Sequence, residues 1–349
     1  MMIKRSVVGE VIKLKTHKNI FTESISQLTN LCQEDLKLTN ALILEKLDSK
    51  VPVIHKIASY LILSGGKRLR PLLTSCCYHL VEEKNNNSKN YIGLAAAVEF
   101  IHAATLLHDD VVDESKQRRG NLSANEVWGN KTSVLVGDFL FSRAFQLMTK
   151  YGNLEILKVL SDTSVIISEG EMLELSNDKD PTINEDIYFQ VINGKTASLF
   201  SAACKVGGIS SGANEKEIEC MKSFGTNFGM SFQLIDDAID YSSTDESLGK
   251  NIGDDFKEGK ITLPIILAYI RSNDQEKKFW DKTIKNLEQN MGDLDQAINI
   301  IKKYDCIADT VERARHFANV ATDSLGIFKE NKYKISLIKL IHSSLNRIN

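Results

Sequence analysis

The chain has 349 residues, 42% of them apolar and 26% charged, with a net charge of −3. That balance offers no basic footprint for nucleic acid and enough apolar material for a sizeable core. Only four prolines occur, Pro52, Pro71, Pro181 and Pro264, which favours long helices.

Residues 1–20 carry Lys4, Arg5, Lys13, Lys15 and Lys18 against Glu10 alone. They hold no long apolar run, so they do not read as a secretory signal. The basic bias is that of a solvated first segment and also faintly that of an organelle transit peptide. Apolar residues recur with helical period over 22–47. A short helix over 51–63 is stopped by Ser64-Gly65-Gly66. Lys67, Arg68 and Arg70 follow, and Pro71 is tolerated in the first turn of a helix over 72–83.

The stretch 95–113 is a mostly apolar helix that ends in Asp109, Asp110 and Asp113. Residues four apart share a helix face, so Asp109 and Asp113 point the same way with Asp110 beside them. Carboxylate oxygens in that number suit a hard divalent cation, above all Mg²⁺ that shares its shell with substrate phosphates. One such motif alone is more often an acidic helix end at the surface. A second copy, Asp236, Asp237 and Asp240, ends another helix expected over 215–241.

Between the two, residues 123–150, 154–175 and 185–206 read as helices, the last interrupted at Gly194-Lys195-Thr196. Glu169, Glu171 and Glu174 read as an exposed or interface face. Residues 242–260 form a charged loop, and 261–349 three to five amphipathic helices. No strand-like alternation, no linker and no apolar run of the ~18–20 residues that span a bilayer is evident. The expected fold class is all-α, a single-domain helical bundle around a central cavity. The six cysteines make no CxxC pair and read as small buried residues of a reducing, cytoplasmic compartment.

Two acidic clusters facing each other would repel and raise each other's pKa values. Metal ions relieve that conflict and then call for an anionic ligand. The chain supplies matching cations in Lys67, Arg68, Arg70, Arg118, Arg119, Lys195, Lys250, Lys257 and Lys260. Arginine reads phosphate oxygens bidentately and lysine acts as a point charge. No Walker A or GxGxxG loop is present to cradle a nucleotide. A diphosphate above an apolar pocket points to a prenyl diphosphate.

Further motifs stand in order: Gly65-Gly66-Lys67-Arg68-Leu69-Arg70-Pro71, then Glu99-x-x-His102, Arg118-Arg119-Gly120, Gly137-Asp138, Gly194-Lys195-Thr196 and Phe232-Gln233. Gly249-Lys250-x-x-Gly253-Asp254-Asp255 and Gly259-Lys260-x-Thr262-Leu263-Pro264 close the series. With the twin acidic motifs, these make residues 30–345 resemble the trans-isoprenyl diphosphate synthases of the polyprenyl synthetase family. The resemblance implies an isoprenoid-synthase bundle, with residues 1–25 an N-terminal extension and 26–349 the catalytic domain. It implies a prenyltransferase that condenses isopentenyl diphosphate head-to-tail with an allylic prenyl diphosphate.

In that scheme Asp109, Asp113 and Asp236 are the first Mg²⁺ ligands, with Asp110, Asp237 and Asp240 orienting metals or waters. Three Mg²⁺ grip the allylic diphosphate, which Arg118, Lys195, Thr196, Gln233, Lys250 and Lys260 also contact. Asp109, Asp113, Lys195, Asp236 and Lys260 form the catalytic set. Lys67, Arg70, His102 and Arg119 hold isopentenyl diphosphate without metal. Bulky aromatics just upstream of the first acidic motif give short products in this family. Here those positions are the small Ala104 and Thr105, which resembles enzymes making C30–C50 products such as octaprenyl or decaprenyl diphosphate for quinone side chains. The alternatives are a farnesyl or geranylgeranyl diphosphate synthase and a non-catalytic regulatory subunit. The family is usually homodimeric, with the apolar helices around 122–175 available for an interface, and a long product implies transient membrane contact on release. A mitochondrial location follows if the basic N-terminus is a transit peptide.

Overall fold

A computed structural model describes residues 17–81, 89–242 and 252–348. Helix α1 (His17–Leu31) breaks at Cys32 and continues as α2 (Gln33–Lys46). Phe21 and Ile25 of α1 are buried in the core, so the boundary expected at residue 25 falls inside a packed helix. Pro52 sits in the first turn of α3 (Pro52–Leu63) and Pro71 in that of α4 (Leu69–Leu80), where a missing N–H costs nothing.

Helix α5 (Asn90–Val112) carries the first acidic motif. It is long and apolar enough to cross a membrane, contrary to expectation, yet most of it is buried inside the bundle. A helix apolar on nearly every side is a core helix, and α4, α10 (Ser198–Ser211) and α7 (Asn130–Tyr151) wrap it.

After α5 the chain makes the described strands β1 (Gln117–Arg118) and β2 (Asn121–Leu122), an antiparallel pair too short to leave a sequence signature. Arg119 and Gly120 between them have φ of +54° and +77°, the left-handed pair that a tight hairpin turn requires. Helix α6 (Ala124–Trp128) leads into α7, and Asn153 caps α8 (Leu154–Ser176) by accepting from the Ile156 N–H at 2.9 Å. Helix α9 (Glu185–Ile192) passes through a π-helical turn, Asn193–Ala197, into α10. Helix α11 (Glu215–Ser242) carries the second acidic motif and packs on α10 and α16 (Cys306–Ser324).

Helices α12 (Asp254–Glu258), α13 (Leu263–Arg271), α14 (Asp274–Trp280), α15 (Asp293–Lys303) and α17 (Lys332–Leu345) complete the all-α fold. Five of the six free cysteines are buried. Burial pushes the Cys76 and Cys204 thiols well up, which leaves them unreactive.

Candidate active site

The C-terminal ends of α5 and α11 open onto one cavity of about 590 Å³. Asp109 and Asp113 line it from α5, Glu171 and Glu174 from α8, Lys195 and Thr196 from the π-turn, and Gln233 and Asp237 from α11. Arg118, Asp255 and Lys260 join them, while Leu106, Ile183, Val191 and Ile192 supply apolar wall.

The acidic motifs do not present all six carboxylates alike. Asp110 is fully buried and accepts from Arg118 Nε at 2.7 Å and Nη2 at 2.6 Å, so a proposed ligand and a proposed substrate contact are paired with each other. Asp236 is ion-paired with Arg347 at 2.5 Å. The Arg347 guanidinium lies over the rings of Phe21 and Phe232, 5.0 and 4.9 Å from their centroids. Asp240 is buried and accepts from the Asp255 N–H at 3.2 Å. From the second motif it is Asp237 that lines the cavity.

Lys195 owes its place to a backbone crossing. A Cβ on Gly194 would stand 2.8 Å from Gly170 Cα and 2.9 Å from the Ile166 carbonyl oxygen, so α8 and the π-turn meet where only glycine fits. The wide turn re-aims the residues that follow, as such bulges do at functional sites. Lys195 thereby reaches Glu171 at 3.0 Å and also pairs with Glu174. Burial acts against its charge, but the Glu174 and Glu171 carboxylates outweigh it and hold the ammonium well above its ordinary pKa. Glu171 and Glu174 therefore face the site, a correction to the exposed face expected of them. We expect Gly194→Ala to cost about 1–3 kcal/mol through overpacking. Activity per folded molecule should fall further, because Lys195 is displaced; thermal unfolding beside a turnover assay checks both.

Lys260 pairs with Glu258 at 2.6 Å and stands 3.9 Å from Asp113. Thr196 Oγ1 donates to Gln233 Oε1 at 2.9 Å. Lys257 pairs with Asp254 at 3.0 Å, and Lys250 lies outside the described residues.

Lys67, Arg70, His102 and Arg119 do not line this cavity. Arg70, His102 and Arg119 act on one another electrostatically in a second, cationic region. Burial pushes the His102 pKa well down, and the positive charges of Arg70, Arg119, Arg118 and Arg68 push it further, so the imidazole is neutral. Arg70 is brought down to about 10 by burial, its Nε has no hydrogen-bond partner among the described residues, and it lies over Phe200 at 4.2 Å. Arg119 donates to the Gly65 carbonyl oxygen. Lys67 sits over Phe21 at 4.6 Å. Arg68 is held by Glu99 and the Ile62 carbonyl oxygen.

Ala104 is fully buried in the core around α5. Thr105 is half-buried, one turn before Asp109, and donates to the His102 carbonyl oxygen at 2.9 Å. The side chain that reaches the cavity from this part of α5 is Leu106.

The donor set fits a hard divalent cation. Glu171 Oε1 is buried with no hydrogen-bond partner among the described residues. Burial, then the Glu171 and Asp113 charges, raise Asp109 to about 7. Burial, then the Asp255 charge, raise Asp237 to about 8 despite donors from Tyr188 and Gln233. Carboxylate oxygens of this kind suit Mg²⁺ or Ca²⁺ rather than Zn²⁺. Among the described residues no three acidic, histidine or cysteine side chains can hold an ion by themselves. A cation here would share its shell with oxygens of a bound anion.

A pH dependence follows. Between about pH 4 and 8 the folded chain keeps protons on Asp109 and Asp237 that the unfolded chain gives up near 4. The metal-free protein therefore loses stability as pH rises through that window, and divalent cations bind more tightly over the same range as they displace those protons. Thermal midpoints from about pH 5 to 9, in chelator and in Mg²⁺, should diverge with rising pH; parallel curves would contradict the assignment.

A family model described as Polyprenyl synthetase matches residues 51–301. Octaprenyl diphosphate synthase of Escherichia coli is 40% identical over 326 residues, covering 93% of this chain and 99% of that protein. The decaprenyl diphosphate synthase structure from Rhodobacter capsulatus superposes with a TM-score of 0.89 at 42% identity, covering 93% of this chain and 99% of that one. A Caulobacter crescentus polyprenyl synthase, solved with calcium and isoprenyl diphosphate, gives 0.88 at 41% identity, covering 93% and 98%. The chain belongs to the polyprenyl synthetase family.

Proposed function

We propose that the protein condenses isopentenyl diphosphate head-to-tail with an allylic prenyl diphosphate to build a long-chain trans-polyprenyl diphosphate. The observation that carries this reading is a pair of anion sites of opposite character. One is the carboxylate-rich cavity with Lys195 and Lys260, and the other is the region of buried Arg70, Arg119 and His102, whose charges act on one another.

The allylic diphosphate binds at the cavity, where Asp109, Asp113 and Asp237 would hold Mg²⁺, three ions per site, with Asp236 joining them on release from Arg347 and Asp240 held behind them by the Asp255 N–H. Bound Mg²⁺ would neutralise the leaving diphosphate. Lys195 and Lys260 place fixed positive charge where the allylic C–O bond breaks and its electron pair passes to the diphosphate oxygen. Lys67, Arg70, His102 and Arg119 hold isopentenyl diphosphate without metal, neutral His102 donating through its N–H. The π-electron pair of isopentenyl diphosphate forms the new C–C bond to the allylic cation. The proton then lost from the adjacent carbon goes to the departed diphosphate. Leu106, Val191 and Ile192 keep water from the cation.

The long product is supported by the small Ala104 and Thr105 and by relatives named octaprenyl and decaprenyl diphosphate synthase. Quinone side chains are the matching use, and cytoplasmic synthesis with release to a membrane is the matching place. A homodimer is supported by exposed apolar side chains on α7 and α8, Leu135 at 66% and Leu154 at 85% with Phe145, Val165 and Met172 also exposed. Its check is a solution mass twice that of the chain.

The test is to incubate the purified chain with Mg²⁺, radiolabelled isopentenyl diphosphate and farnesyl diphosphate, then chromatograph the products. Products of C30 or longer are expected. Arrest at C15–C20 would favour the short-chain alternative, and no product would favour the regulatory-subunit reading.

A further inference from the structure

A short chain of hydrogen bonds crosses the wall of the cavity. The Tyr188 hydroxyl on α9 donates to Asp237 Oδ2 at 2.5 Å. Gln233 Nε2 donates to Asp237 Oδ1 at 2.7 Å, and Thr196 Oγ1 donates to Gln233 Oε1 at 2.9 Å. Each carboxylate oxygen thus takes one neutral donor and keeps lone pairs free. All four side chains line the cavity, and Tyr188 is only 2% exposed.

The mechanical sense lies in the elements joined. Helix α9 is short, and the π-turn that presents Lys195 and Thr196 continues directly from it. Helix α11 presents Asp237. We propose that Tyr188 is a positioning residue for the condensation: its hydroxyl fixes the Asp237 carboxylate and, through Gln233, the Thr196 hydroxyl. It thereby locks the segment bearing Lys195 to the second acidic motif in one geometry. A neutral donor suits this task, because it orients the carboxylate without cancelling the charge that a divalent cation requires. The inference rests on the proposed condensation for its kinetic meaning.

The experiment uses Tyr188→Phe, which keeps the ring and removes the donor. A hydrogen bond to a charged group sets the scale, so kcat should fall about tenfold to a hundredfold. The Mg²⁺ concentration giving half-maximal rate should rise, and KM for isopentenyl diphosphate should stay within about twofold. Calorimetry of Mg²⁺ with inorganic diphosphate should show weakened binding. That weakening should vanish when Tyr188→Phe is made in an Asp237→Asn background, because Tyr188 acts through Asp237.

A merely structural tyrosine would lower the thermal midpoint while leaving kcat per folded molecule and Mg²⁺ binding unchanged, and that result would overturn the assignment. So would additive losses in the double variant. If the unaltered chain makes no polyprenyl product, the proposed function fails, and the calorimetry still decides whether Tyr188 positions Asp237.

Discussion

Asp109→Asn is expected to cut turnover by at least about a thousandfold, roughly 4 kcal/mol of transition-state stabilisation. Asp109 faces the cavity from the end of α5, and burial together with the Glu171 and Asp113 charges raises it to about 7. The asparagine is nearly isosteric but cannot carry the negative charge that, in the proposed condensation, would hold a cation against the leaving diphosphate. The same change should stabilise the metal-free protein above about pH 7, because a penalised buried charge has been removed. Activity should fall while the thermal midpoint in chelator rises, the opposition expected where a site is built for function rather than stability. Turnover within tenfold of the unaltered chain would remove Asp109 from the machinery.

The second large effect concerns product length. Thr105→Phe should convert a long-chain profile to a short one, with condensation itself intact. Thr105 lies one turn before Asp109 and is half-buried, so a phenylalanine there projects from the helix face beneath Asp109. Ala104 is different. It is fully buried among packed neighbours, so Ala104→Phe carries an overpacking cost of about 1–3 kcal/mol besides any effect on the tail. Chromatography of products from both variants separates the two. An unchanged length in Thr105→Phe would take that residue out of the path, and Leu106, which the cavity does reach, would be the next side chain to enlarge.

Much of this is legible in the sequence, and the reason is spacing. Asp109 and Asp113, and likewise Gln233 and Asp237, lie one helical turn apart, so a correct helix assignment already puts each pair on one face. The interruption at Gly194-Lys195-Thr196 was visible as a glycine inside a helical pattern and proved to be the π-turn. The failures are pairings between distant elements. Nothing local says that Arg118 will take Asp110, that Arg347 will take Asp236, or that Glu171 and Glu174 will turn inward to Lys195. Tyr188 leaves no signal in the sequence, since periodicity reports burial and is silent about where a hydroxyl points. The hairpin at Arg119-Gly120 is too short for any alternation to show.

The π-turn has a consequence for how this protein tolerates change in length. It acts as a one-residue spacer between α9 and α10. Removing one residue to restore an ordinary helix would rotate everything before it by about 100° relative to α10. Tyr188 would leave Asp237 and Lys195 would leave the cavity together, although no side chain had been altered. Substitutions in residues 188–197 can be judged one by one, whereas a single-residue deletion there dismantles the segment's whole contribution at once.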